Sequence, residues 1–166
     1  MSALHPDLAH VACLLGTWTG RGRGEYPTIE TFDYVESVTF GHVGKPFLAY
    51  QQRTRSIGTA TEAAMPMHAE SGYWRFPAPG RIELVVSHPT GVVEVEEGTI
   101  ELDLEGGVVI DMVTTQVIGS SSAKDVTALA RRFHVKGDVI DYVVEMAAVG
   151  HPLQHHLAAR LEREPE

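Results

Sequence analysis

The stretch Gly16-Thr17-Trp18-Thr19-Gly20-Arg21-Gly22-Arg23-Gly24-Glu25-Tyr26-Pro27-Thr28-Ile29 carries a glycine at every second position from 20 to 24, in parity with Trp18 and Tyr26. In an extended chain alternate side chains point to one face. The segment therefore reads as a strand with one face stripped of side chains. Such a face allows sharp bending, or the close approach of another backbone or a flat ligand. Trp18 shares that face and is placed to close one end of a barrel. Phosphate-cradling loops also space their glycines, but they lead from a strand into a helix, and Tyr26-Pro27-Thr28 opens none.

Outward from this strand, runs rich in Val, Ile, Thr, Tyr and Phe alternate with turn clusters. Strands are expected near 17–26, 31–42, 46–57, 67–76, 80–87, 91–103, 107–118, 124–135, 138–149 and 153–163. The separators include His42-Val43-Gly44-Lys45-Pro46, Pro77-Ala78-Pro79-Gly80, His88-Pro89-Thr90-Gly91, Glu105-Gly106-Gly107 and Lys136-Gly137-Asp138. These residues tolerate positive φ or fix a turn. Loops this short join antiparallel neighbours, because a parallel crossover needs about a dozen residues or more. The pattern predicts an all-β fold, an up-and-down antiparallel β-barrel of about ten strands, since closure removes exposed edges. A barrel of that size is wide enough to hold a ligand. One short helix is expected at the N-terminus, where Leu8, Val11, Ala12 and Leu15 recur after Pro6.

The chain has 166 residues, and no linker or repeat divides it, so one domain over 1–166 is expected. No stretch approaches the roughly 20 apolar residues of a membrane-spanning helix. The N-terminus lacks the pattern of a signal peptide, which makes a cytoplasmic location the expectation. Cys13 is the single cysteine, so neither an internal disulfide nor a cysteine-based zinc cluster can form. Thirteen basic residues stand against 22 acidic ones, a formal net charge of −9. That balance argues against nucleic acid and anionic membranes as partners.

Several blocks, in order along nearly the whole chain, share a family pattern. Gly16-Thr17-Trp18-Thr19-Gly20-Arg21-Gly22 with Tyr26-Pro27-Thr28-Ile29 is the most specific. Phe32–Glu36, His42–Pro46, Met67–Arg75, Gly91–Gly98 and Gln154-His155-His156-Leu157 continue it. In this ordered set the chain resembles the nitrobindins. The resemblance implies a ten-stranded barrel carrying ferric haem b on one axial histidine near the C-terminus. It also implies nitric oxide binding and isomerisation of peroxynitrite to nitrate.

Of the nine histidines, His5, His10 and His134 read as solvated or surface residues, and His42 and His88 as turn residues. His151, His155 and His156 form the remaining C-terminal set with His68 in a strand. Adjacent strand residues point to opposite faces, so only one of His155 and His156 can face a cavity. Local alternation favours His155, in parity with Leu153, Leu157 and Leu161. The resemblance favours His156, directly before Leu157, although one extra residue separates it from Gln154. We take His156 as the iron ligand and catalytic residue. This choice puts the odd-numbered leucines outside, against the helix or a second subunit of a homodimer, unless a bulge near Pro152 changes the phase.

The resemblance further places Met67 and His68 over the opposite haem face, Met146 in the cavity wall, and Thr28 and Lys124 at its rim. A lysine there could pair with a haem propionate. Read alone, His68 could simply bond a neighbour such as Glu70. No carboxylates form a recognisable acid–base motif. Two other readings remain open: a haem sensor of nitric oxide or peroxynitrite without significant turnover, and a fatty-acid carrier without haem. The carrier requires Arg53, Arg75 or Arg131 to face inward.

Overall fold

Pro6–Leu14 forms a 3-10 helix, and ten strands follow. They are β1 (Gly16–Tyr26), β2 (Ile29–Gly41), β3 (Phe47–Ser56), β4 (Pro66–Arg75), β5 (Arg81–Ser87), β6 (Val92–Leu102), β7 (Val108–Gly119), β8 (Val126–Lys136), β9 (Val139–Ala148) and β10 (Gln154–Arg163). This computed structural model describes residues 2–165. Each strand pairs antiparallel with the next, and β1 pairs with β10, so the sheet closes into a barrel. Every strand boundary falls within about two residues of the one read from alternation and turn chemistry. Among the described residues no helix is long and apolar enough to cross a membrane.

The short N-terminal helix is present and is of the 3-10 kind. Leu8, Val11 and Leu14 are its buried residues, spaced by three, whereas Ala12 and Leu15 are only partly buried. In a 3-10 helix residues three apart eclipse, so one apolar row faces one way. That row plugs one end of the barrel against buried Trp18. The Trp18 indole N–H donates to the Leu14 carbonyl at 2.8 Å. The Arg163 guanidinium lies 4.0 Å from the centre of the Trp18 ring and donates to the Leu15 carbonyl. It thus satisfies a carbonyl at the helix end while packing on the aromatic face.

The stripe of alternate glycines in β1 serves packing within the chain. A Cβ at Gly20 would lie 2.0 Å from the Arg160 carbonyl oxygen of β10. At Gly22 it would meet the Tyr34 ring at 2.2 Å, and at Gly24 the Phe32 ring at 2.3 Å. Of the uses open to such a face, close backbone approach holds at Gly20. Neighbouring aromatic rings cover Gly22 and Gly24.

The phase of β10 is a correction. Leu161 is 1% exposed and Leu157 packs against the core, so these odd-numbered leucines line the interior. The outer face of β10 carries Arg160 and Glu162 instead, and the apolar outer face from which a homodimer was read is absent. A bulge reconciles the two histidine arguments: His155 pairs with Glu145, Leu157 pairs with Val144, and His156 is the extra residue between them. It lies a few residues beyond Pro152.

Candidate functional site

In an up-and-down barrel the loops after odd-numbered strands gather at one end, and here that end is opposite the helical plug. Thr28 lies in the β1–β2 turn, Met67 and His68 open β4, Lys124 lies in the β7–β8 loop, Met146 ends β9 and His156 begins β10. The fold therefore brings all six residues to one mouth. Thr28, Met67 and Lys124 are exposed on its rim, whereas His68, Met146 and His156 are half-buried.

His156 is held in one orientation by its neighbours. Its Nδ1 lies 3.0 Å from the Glu25 carbonyl oxygen. A carbonyl only accepts, so Nδ1 carries the proton and the Nε2 lone pair is left outward from that bond. Desolvation holds the imidazole below its usual pKa, against the Glu25 hydrogen bond, which favours the charged ring. Tyr26 packs edge-on to His156 at 5.4 Å between ring centres. Its hydroxyl accepts from the Ala148 N–H at 2.8 Å, tying β1 to the end of β9. The turn that follows places Val149 at φ 47, rare for a β-branched residue, with its N–H donated to the Asp125 carbonyl at 2.8 Å. His155, by contrast, is exposed.

Beneath the mouth runs a buried polar layer that no sequence motif announced. Arg131 donates from both terminal nitrogens to Glu70 at 2.9–3.1 Å, from Nη2 to Glu94 at 3.1 Å and from Nε to Glu96 at 2.7 Å. Tyr50 donates to Glu70 at 3.0 Å, and Tyr142 donates to Glu36 at 2.5 Å. His88 is also a correction. Its backbone makes the turn, accepting from the Gly91 N–H, but its ring continues the inward parity of Ile82, Leu84 and Val86. There it meets His68, ring nitrogens 3.0 Å apart. His68 thus bonds a histidine, with Glu70 Oε1 farther away at 3.9 Å.

Inward parity was the available signal for these residues. Glu94 and Glu96 alternate with Val92, Glu36 with Tyr34 and Val38, and Glu70 with Trp74. Burial pushes Glu36 and Glu96 up to about 7. Burial acts on Glu94 and Glu70 too, but the His88 ring and Arg131 outweigh it at Glu94, held at about 2, and Arg131 outweighs it at Glu70.

This gives Glu36 a signature in stability. The unfolded chain loses the Glu36 proton near pH 4.5, while the folded chain keeps it to about pH 7. Its contribution is full below pH 4.5 and is lost as pH rises to about 7, up to about 3 kcal/mol. His68 and His156, both held low, act in the opposite sense. The expected result is therefore a difference: Glu36→Gln loses stability relative to the parent at pH 5 and regains it at pH 8. Thermal melts across that range check it, and parallel pH profiles would refute it.

A concavity of about 600 Å³ on the outer wall is lined by Arg21, Arg23, Arg132, Asp141 and Arg160 among others. Its walls mix outward-facing charged groups with Gly22, Val143, Ala158 and Ala159, and the chemistry converges elsewhere. A notch of about 350 Å³ at the mouth is bordered by Gln52, Glu70, Ser87 and His88.

An iron porphyrin requires one neutral imidazole, apolar flanks and a polar rim. His156 offers the lone pair, inward Phe32, Met146 and Leu157 the flanks, and Thr28 and Lys124 the rim. The residues present fit such a group. A closed barrel with this mouth defines a carrier of a flat prosthetic group. A family model described as the THAP4-like, heme-binding beta-barrel domain matches residues 7–163, and the chain belongs to that family. The nitrobindin resemblance is thereby borne out.

Named relatives agree. The chain is 57% identical to "Peroxynitrite isomerase 1" of Mycolicibacterium paratuberculosis, over 97% of each chain. It is 54% identical to "Peroxynitrite isomerase" of Nocardia farcinica, over 98% of this chain and 94% of that one. Among solved structures it is similar to Rv2717c from M. tuberculosis, with TM-score 0.92 and 44% identity, covering 98% of this chain and all of the other.

Proposed function

We propose that this chain is a haem-dependent peroxynitrite isomerase that also binds nitric oxide, with His156 as the residue that would hold the iron. Supporting the activity are near-full-length relatives of that name at 54–57% identity. The observation that carries the site is the Glu25 carbonyl on His156 Nδ1, which leaves a neutral Nε2 to bind iron. Bound ferric haem supplies the iron centre at which peroxynitrite rearranges to nitrate. The chain does the rest. His156 anchors and orients the group, Phe32, Met146 and Leu157 exclude water around it, and Lys124 offers a cation to a propionate. Met67 and His68 border the mouth on β4. We read the protein as cytoplasmic, in keeping with the free thiol of Cys13.

The fatty-acid carrier is disfavoured by the very residue it requires. Arg131 does face inward, but Glu70, Glu94 and Glu96 already saturate it. A fatty-acid carboxylate would meet three carboxylates there. Arg53 and Arg75 are exposed.

Stopped-flow decay of peroxynitrite with nitrate analysis tests the proposal. Decay is expected to be first order in haem-loaded protein, with nitrate replacing the products of spontaneous decay. A chain that binds haem yet leaves decay at the buffer rate would overturn the isomerase reading and favour the sensor.

A further inference from the structure

The wall of the mouth opens between β4 and β5. Their ladder begins only at Ser71–Ser87, and the notch beyond it reaches Glu70 and His88. Three donor atoms converge behind this gap. His68 Nε2 and His88 Nδ1 are 3.0 Å apart, and they lie 3.9 and 3.8 Å from Glu70 Oε1. Ligands arranged tetrahedrally around zinc at about 2.0–2.1 Å stand about 3.3 Å from one another. The observed separations bracket that value, so shifts of a few tenths of an ångström complete the geometry.

Two of the three ligands, Glu70 and His88, are also held from behind. Glu70 is fixed by the Tyr50 hydroxyl on Oε2 and by Arg131, which donates to both oxygens, at 3.1 Å to Oε1 from each terminal nitrogen. His88 Nε2 lies 2.7 Å from Glu94 Oε1, although the ring N–H is not directed along that contact. A carboxylate behind the distal nitrogen is the support that metal-bound imidazoles use.

We propose that His68, His88 and Glu70 bind a divalent transition-metal ion of the zinc class, with a fourth position open to water or a small anion through the notch. Two imidazoles and one carboxylate form the donor set of open zinc sites. The site shares no residue with the His156 anchor and does not depend on it. When filled, it holds His68 against β5 and away from any group bound to His156.

The simpler arrangement is a hydrogen bond between the two rings, and the two make opposite predictions. Haem-loaded protein is equilibrated with zinc chloride, dialysed, and analysed for metal and protein. One zinc per chain is expected. Supporting groups behind a ligand cost roughly 10–100-fold in affinity when lost. His68→Gln and His88→Gln are therefore each expected to weaken binding by at least about 100-fold. Thermal melts confirm that the variants are folded, and if one is not, the other decides. His156→Ala is expected to keep its zinc while losing haem, which separates this site from the haem assignment. No uptake by folded protein overturns the proposal. Uptake unchanged in either folded variant also overturns it, leaving only an adventitious ion on exposed histidines.

Discussion

Replacing His156 with alanine is expected to abolish the Soret band of haem-supplemented protein, while His155→Ala keeps it. The bulge places His156 at the mouth with Nδ1 bound to the Glu25 carbonyl, whereas His155 is exposed opposite Glu145. As the proposed ligand, His156 would carry the iron–nitrogen bond itself, so the drop in haem affinity is expected to exceed the roughly 10–100-fold cost of losing a supporting group. Haem titration followed by absorption checks this in all three proteins. A band lost in His155→Ala and kept in His156→Ala would transfer the ligand to His155 and discard the bulge argument.

The second large effect concerns the polar layer. Arg131→Met removes the cation from Glu70, Glu94 and Glu96 and leaves their charge buried without compensation. Breaking a buried ion cluster in this way costs about 3–5 kcal/mol. Urea unfolding at pH 7 is expected to show that loss. The penalty shrinks at pH 5, because carboxylates without their cation take up protons more readily. Adding Glu70→Gln, Glu94→Gln and Glu96→Gln to Arg131→Met is expected to recover much of it. A loss below about 1 kcal/mol, equal at both pH values, would mean that the guanidinium does not balance these carboxylates.

The two effects differ in how far the sequence disclosed them. His156 was reachable from Gln154-His155-His156-Leu157, but only by setting resemblance against alternation. Leu157 and Leu161 do face inward, as alternation requires, whereas Leu153, before the strand, is exposed. His156 reaches the mouth as well because one inserted residue resets the phase, and such an insertion leaves no pattern of its own in the sequence. The polar layer was hidden for another reason. Glu36, Glu70, Glu94, Glu96 and Arg131 come from β2, β4, β6 and β8, so no window along the chain contains the cluster. Inward parity marks each carboxylate singly, but only barrel closure brings them within reach of one guanidinium.

By itself the sequence determined the all-β barrel, its ten strands and their boundaries. Those features rest on local physics: two-residue alternation, turn residues that tolerate positive φ, and loops too short for a parallel crossover. It also determined the haem-binding family, through ordered blocks spread over the chain. Tertiary structure alone decided the rest. A row of residues three apart made the plug a 3-10 helix, aromatic rings filled the glycine face of β1, and a bulge settled which residues of β10 share the interior. The same closure set His68, Glu70 and His88 around one point. Each depends on what a distant strand presents at contact distance, and distance through space is not written in the order of the chain.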